Sequence, residues 1–331
     1  MVGAQNGAWE FDGLNAFCNS QPEREGDFMS GSRDRALLVT GASGQLGRRV
    51  VALLLEAGAT RVIAVTRTPE KIADLGQRGA VVRKGSFEEP ATLAEAFAGA
   101  NRMLAISTDA IDKPGRRIQQ HRNAVEAAAR AGVQHIVYTS MPNPETSPVI
   151  FAPDHLGTEQ AIAASGMTYT ILRDNWYTDF LVPGLAQAAA SGKLYSAAGE
   201  GGAAYVTRED CARTAAAALL AEDATSRTLN VTGPAVVSFR ELASMTSEIT
   251  GRSVQYVSVT PDERKRQIVE AGIPAPVAEI MVSSQLAMAQ GKMGPASTTV
   301  KDLTGRAPTS VEEFLSSRRG DLVGSGAAAS R

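Results

Sequence analysis

The run Thr40-Gly41-Ala42-Ser43-Gly44-Gln45-Leu46-Gly47 has the composition of a phosphate cradle. A diphosphate needs amide N–H groups aimed at it and no side chain in its way. Glycine lets the backbone turn sharply and admits the phosphate where a Cβ would block it. The first amides of a helix have no internal acceptor, and the helix dipole adds positive charge there. The spacing is GxxGxxG rather than the GxGxxG of many dehydrogenases. Gly41, Ala42, Ser43, Gly44, Gln45 and Leu46 are therefore the expected pyrophosphate-binding residues of a dinucleotide site.

The next residue with chemistry is Arg67, in Thr66-Arg67-Thr68 with Lys71 one turn on. A dinucleotide fold with an acid at this place binds the adenosine ribose and favours NAD. A guanidinium instead forks onto a 2′-phosphate and stacks on adenine. NADPH is the expected cofactor, with NADH as the alternative if Arg67 is only a solvated turn residue.

The acid–base inventory is thin. Ordinary short-chain dehydrogenases pair a Tyr acid with a Lys four residues on, and the Tyr protonates a carbonyl as hydride arrives. In that register this chain has His155 and Glu159. Tyr138 and Tyr169 lie in strand-like runs without a suitably spaced Lys. Ketone reduction and nucleotide-sugar epimerisation are disfavoured. A quinone asks for less, because hydride addition yields an aromatic hydroquinone anion. Its proton is available from water, or from His155 or Tyr177, which are the candidate catalytic residues. His155 reads equally as a helix-start residue bonding a neighbouring loop. Trp176 and Tyr177, with Met141, are the candidate walls for a flat acceptor, although Trp176 reads equally as plain packing.

These residues need elements to hold them. Ala36-Leu37-Leu38-Val39 is a short buried strand, and Leu46, Val50, Leu53, Leu54 and Ala57 recur at helical spacing after the glycines. Further strands are predicted at 61–66, 80–84, 102–108, 133–140 and 168–173, alternating with helices. That alternation implies a parallel, doubly wound α/β sheet with right-handed crossovers. Ser107 and Thr108 end the fourth strand and are candidate cofactor-wall residues. His121 lies on the apolar face of a helix over 118–130 and reads as a packed, hydrogen-bonded histidine. The proline-rich loop after Ser140 reads as a substrate-side flap, followed by a helix from Asp154 to Ser165 with Asp154 as its cap. Beyond residue 175 short strands and helices form a smaller, interleaved cap, with 204–207 as a strand returning to the main sheet. Ser238-Phe239-Arg240-Glu241 is a capping box. The expected organisation is a leader without structure over 1–33, a dinucleotide-binding domain over 34–174, a substrate-binding cap over 175–317 and a loose tail over 318–331.

Composition excludes several classes. The net charge of −2 and the 5% aromatic content give neither a basic surface nor a stacking platform for nucleic acid. Cys18 and Cys211 form no disulfide framework and no metal spacing. No apolar run reaches the ~18–20 residues a membrane span needs, so the expected location is the cytoplasm.

The chain resembles the NmrA-like group of atypical short-chain dehydrogenases/reductases, and within it the flavin-free quinone reductases and the triarylmethane-dye reductases. The resemblance rests on TGASGQLG at 40–47, VTRTPEK at 65–71, QHRNAVEAAARAGVQHIVYTS at 120–140, HLGTEQAIAASGMTYTILRDNWYTDF at 155–180, AAGEG at 197–201, VTRED at 206–210 and AGIPAPVAEI at 271–280. It implies a Rossmann-type fold and NADPH held by the glycine loop and Arg67. Ser107 and Thr108 would then lie near the cofactor's middle, and Asn175, Trp176 and Tyr177 beside the nicotinamide and acceptor. It further implies direct hydride transfer to a quinone with neither flavin nor metal. A dye or other conjugated electrophile is an alternative acceptor. A non-catalytic NADP(H) sensor acting through a protein partner is the alternative outside enzymology. Relatives of this size often pair, so a homodimer is kept open. Two departures stand out: Ser86 replaces an acid that binds the adenine amine, and Asp174 replaces an Asn near the nicotinamide.

Overall fold

The computed structural model describes residues 35–324. The expected leader over 1–33 and the last part of the tail lie outside them. Seven parallel strands form the main sheet in the order β3-β2-β1-β4-β5-β6-β9. They are β1 (Leu37–Val39), β2 (Val62–Thr66), β3 (Val81–Lys84), β4 (Arg102–Ala105), β5 (His135–Ser140), β6 (Thr168–Asp174) and β9 (Arg227–Val231). The fold class is the predicted doubly wound α/β.

Alternation along each strand feeds two cores, because successive side chains leave opposite faces. Leu37 and Val39 of β1 face one core with Val62 and Ala64 of β2. Leu38, Ile63 and Val65 face the other. The first core is covered by α1 (Gln45–Glu56), α2 (Ala73–Gln77) and α7 (Arg208–Leu220). The second is covered by α3 (Leu93–Phe97), α4 (Arg116–Arg130) and α5 (Ala152–Ala164). Burial on both faces explains why the central strands read as unbroken apolar runs.

Three sequence expectations change here. The seventh strand is Arg227–Val231, which pairs in parallel with β6, and not 204–207. The latter is a buried connector. Val206 N donates to Trp176 O, Thr178 N to Val206 O, and Ala204 N to Met293 O. Asp154 does not cap α5, which starts two residues earlier with Phe151 at its N-cap and no side-chain cap bond. The tail is structured through residue 324: α13 (Arg319–Gly324) buries Leu322 in the cap core.

The cap is built from α6 (Leu181–Ser191), β7 (Lys193–Ser196), β8 (Gly202–Ala203), β10 (Val237–Ser238), α8 (Phe239–Thr250) and β11 (Gln255–Ser258). It continues through α9 (Pro261–Glu270) and α10 (Ala275–Ala289) to α12 (Val311–Ser317), while α11 (Thr299–Thr304) returns to the first core, where Val300 is buried. β7 pairs with β11 in parallel and β8 with β10 antiparallel. The capping box at α8 is present in full, with the Ser238 hydroxyl and the Glu241 carboxyl each closing on the other's backbone N–H.

Candidate active site

At the phosphate end, Thr40 stitches β1 to β4. Its hydroxyl donates to Leu104 O at 3.1 Å and accepts from Ile106 N at 3.0 Å. Gly41 then turns with φ +61°. A Cβ on Gly47 would lie 2.4 Å from Gly41 O, so the first turn of α1 rests directly on the loop and only glycine fits. Gly44 caps α1 without a side chain, and no acid occupies its first turn. A cleft of about 380 Å³ opens beside the first turns of α1 and α7, between Gln45, Arg49, Arg208 and Phe314, and the acids Asp179, Glu209 and Glu313 line its far side. An uncapped, acid-free and accessible helix start fits an anionic pyrophosphate. Ser43, Gly44 and Gln45 are exposed, whereas Ala42 and Leu46 are buried. The Ala42 amide donates to Val65 O at 3.1 Å, so this residue shapes the loop instead of offering a donor.

Ser43 is tied to the second strand. Its hydroxyl accepts from Thr66 Oγ1 at 2.8 Å, and Thr66 Oγ1 accepts from Thr68 N at 3.2 Å. Arg67 follows at the end of β2 and is exposed. No acid stands in its place, which fits a 2′-phosphate. Sequence reasoning stopped at Ser86 for the third-strand position. The structure adds Glu88 two residues on, where Arg116 Nε at 2.6 Å and Gln120 Nε2 at 3.0 Å both donate to Oε1. The bonded Arg116 guanidinium holds the Glu88 carboxyl below its ordinary range, with a smaller contribution from the Arg67 charge.

Ser107 and Thr108 follow β4, both half-buried. The Ser107 amide donates to Thr139 Oγ1 at 2.9 Å. Thr108 is held twice through its backbone. Its N–H donates to His121 Nε2 at 3.0 Å, and its carbonyl accepts from Arg117 Nε at 2.7 Å. The i, i+4 pair Arg117–His121 was the sequence signal for this clamp, and Arg117 was missed.

His155 leaves the acceptor side. It is 3% exposed, and both ring nitrogens are engaged. Arg117 Nη2 lies 2.9 Å from Nε2, and a guanidinium only donates, so Nε2 accepts. Nδ1–H then donates to Tyr138 Oη at 2.9 Å. His121 is fixed the same way, with Nδ1–H donating to Thr158 Oγ1 at 2.8 Å. Burial, and then the Arg117 charge, push His121 down to about 3 and His155 well below the ordinary histidine value. Both rings are neutral packing groups at neutral pH. Glu159, in the place of the dehydrogenase Lys, is also occupied. It accepts from Ser140 Oγ at 2.5 Å and from Arg173 Nε at 3.0 Å and Nη2 at 2.7 Å. Arg173 also reaches Glu145 of the flap.

Asn175 and Met141 turn inward as well. Asn175 Oδ1 accepts from Trp176 N at 2.7 Å, and Nδ2 donates to Met293 O at 2.9 Å. The side chain is buried and locks the β6 loop to the cap, so a contact to cofactor falls to its neighbours. Met141 is buried in the cap core, where Trp176 packs at the edge. Trp176 and Tyr177 are half-buried and lie against Phe180, with ring centroids 6.0 Å and 5.7 Å apart. Phe180 is 57% exposed and was missed, as was Arg208, whose guanidinium lies 5.5 Å from both the Tyr177 and Phe180 rings. Arg208 is aimed by Asp179, which takes its backbone N–H and its Nη1, both at 2.9 Å. The Tyr177 hydroxyl donates to Asp174 Oδ2 at 3.2 Å. Among the described residues, no group of His, Cys, Asp and Glu is placed to hold a metal ion, and no helix is long and apolar enough to cross a membrane.

The chain is similar to known proteins over most of its length. The model of the NmrA-like family matches residues 33–315. Quinone oxidoreductase 2 of Escherichia coli is 31% identical, covering 85% of this chain and 97% of its own. The structure of Citrobacter sp. triphenylmethane reductase complexed with NADP(H) is 37% identical, covers 86% of this chain and 100% of its own, and superimposes with a TM-score of 0.81. The NADPH-dependent quinone oxidoreductase of Escherichia coli complexed with NADPH is 30% identical, covers 85% and 99%, and has a TM-score of 0.81. The chain belongs to the NmrA-like family and stands among its NAD(P)H-dependent oxidoreductases.

Proposed function

We propose that this protein is an NADPH-dependent reductase that delivers hydride directly, without flavin, to a quinone. When bound, NADPH supplies that hydride from its nicotinamide ring. The chain's own part is to bind, orient and exclude water. The amides at Ser43 and Gln45 face the pyrophosphate, the Gly44 N–H being donated to Gly41 O at 2.9 Å within the loop, and Arg67 takes the 2′-phosphate. Ser107 and Thr108, held by Thr139, His121 and Arg117, form the wall at mid-cofactor. Trp176, Tyr177 and Phe180 offer flat surfaces for the acceptor.

One observation carries the choice of acceptor. The positions for a Tyr acid and its Lys hold a buried His155 and a Glu159 locked to Ser140 and Arg173. That site suits an acceptor whose reduced form is already a good anion. A second reading has its own observation: the buried carboxyl of Asp174 at the acceptor end suits a cationic triarylmethane dye, as does the likeness to a dye reductase. The test is NADPH consumption with quinones, with a triarylmethane dye and with no acceptor. Turnover with quinone supports the first reading and turnover with the dye alone the second. Tight NADPH binding without turnover would contradict both and point to a sensor.

A further inference from the structure

We infer that Arg117 is a positioning residue that ties the cofactor wall to the flap, so that NADP(H) settling on Ser107 and Thr108 steadies the flap over residues 142–151. This rests on the reading of Ser107 and Thr108 as that wall. Arg117 is the second residue of α4 and is 6% exposed. Its guanidinium touches three separate elements. Nε donates to Thr108 O at 2.7 Å, on the loop after β4. Nη2 donates to His155 Nε2 at 2.9 Å, in α5. The guanidinium carbon lies 4.9 Å from the centre of the Phe151 ring, where the flap runs into α5. Phe151 packs in turn on the cap core, beside the buried flap residue Val149.

Packing alone does not call for a charge at this place. A guanidinium taken out of water is costly unless an acid pairs with it, and an apolar side chain of similar length packs more cheaply. Arg117 has no such acid: Asp109 and Asp154 act on it only through space. One of its nitrogens, Nη1, is buried without a partner. What the guanidinium supplies is reach. Its planar fork bonds a carbonyl and an imidazole while its face meets an aromatic ring, which neither Lys nor Met can do at once.

Both ends of the link are anchored. The Thr108 amide is held by His121 Nε2 at 3.0 Å, also from α4, so this helix grips the wall twice. The far end of the flap is tied by Asn143 Nδ2, which donates to Lys292 O at 2.7 Å, and by Glu145, which pairs with Arg173. A cofactor that fixes Thr108 fixes Arg117, and the Phe151 ring then has one plane to rest on. The coupling is reciprocal, because a flap held by an acceptor steadies the wall for the cofactor. NADP(H) and the acceptor therefore bind with positive cooperativity.

The experiment has two readouts. The first is amide hydrogen exchange of the flap with and without saturating NADP⁺, in the absence of any acceptor. Thr146 and Ser147, whose amides both donate to Asn143 O, are the reporters. NADP⁺ should slow their exchange by about fivefold or more in wild type. Arg117→Met, and Phe151→Leu, which cuts only the flap end, should abolish that slowing at saturating NADP⁺. The second is the Kd of a quinone with and without NADP⁺, a pair in which both partners are oxidised and no hydride moves. NADP⁺ should tighten quinone binding by about fivefold or more in wild type and by less than about twofold in Phe151→Leu. The NADP⁺ affinity of Phe151→Leu should stay within about threefold of wild type. If Arg117→Met does not fold, Phe151→Leu decides. An Arg117 that merely packs would lower the Tm of Arg117→Met and leave the slowing intact. That result, or a wild-type flap indifferent to NADP⁺, overturns the link and leaves the reductase reading standing. A protein that binds no NADP⁺ overturns that reading, and the link with it.

Discussion

In the proposed reading, cofactor choice turns on Arg67. It is exposed at the end of β2, where an acid would select the ribose 2′-OH. A charge-assisted contact is worth roughly 1.5–3 kcal/mol, or about tenfold to a hundredfold in affinity. Arg67→Ala should raise the NADPH KM by about that factor and leave the NADH KM within roughly twofold, measured with one acceptor at saturation. His155 makes the opposite prediction. His155→Ala strands Arg117 Nη2 in the interior and leaves Tyr138 Oη only its longer contact to His121 Nδ1 at 3.4 Å, at roughly 1–3 kcal/mol for the unsatisfied group. Its Tm should fall, while kcat of the folded fraction stays within roughly twofold of wild type. A large kcat loss at unchanged Tm would restore His155 to the chemistry. At this scale the sequence was readable where a side chain answers to its neighbours in the chain, as Gly41 and Gly47 do. It was silent where the partner is remote. Nothing near Asn175 announces Met293 as its partner, and nothing near His155 announces Arg117.

Among the elements, the junction of β1 with α1 is the most constrained. A methyl group on Gly47 meets the carbonyl oxygen and carbon of Gly41 at 2.4 and 2.8 Å, both backbone atoms. Gly47→Ala must push the helix start away from the loop. A cost of about 1–3 kcal/mol in stability is expected, together with weaker NADPH binding, read by thermal melting and cofactor titration. Period and punctuation gave away this junction, α8 with its box, and the first six strands. They failed at β9 against 204–207. Both are short, β-rich runs, and the choice of which one joins β6 is made by long-range pairing. The start of α5 was missed for a related reason. Asp154 is a good capping residue by type, but the proline-rich flap delivers the chain to Phe151 first.

For the whole molecule, histidine burial sets the response to acid. The three histidines of the chain are all internal. Burial and the neighbouring arginine charges push His121 to about 3, His135 to about 4 and His155 well below its ordinary value. The unfolded chain therefore binds three protons that the folded one refuses between about pH 6 and 5. Asp174 works the other way, since its raised carboxyl keeps a proton in the fold that the unfolded chain releases. The net is one to two protons, since burial also raises the Asp154 carboxyl, so stability should fall by roughly 1–3 kcal/mol per pH unit as the pH drops through that window. Urea unfolding at a series of pH values checks it, and constant stability from about pH 7 to 5 would contradict the buried network.

The measurement that bears most directly on the central claim is NADPH oxidation by flavin-stripped protein with a quinone as acceptor. The account predicts steady turnover, one NADPH per quinone reduced, with no gain on adding flavin. Turnover that appears only when flavin is restored would contradict direct hydride transfer.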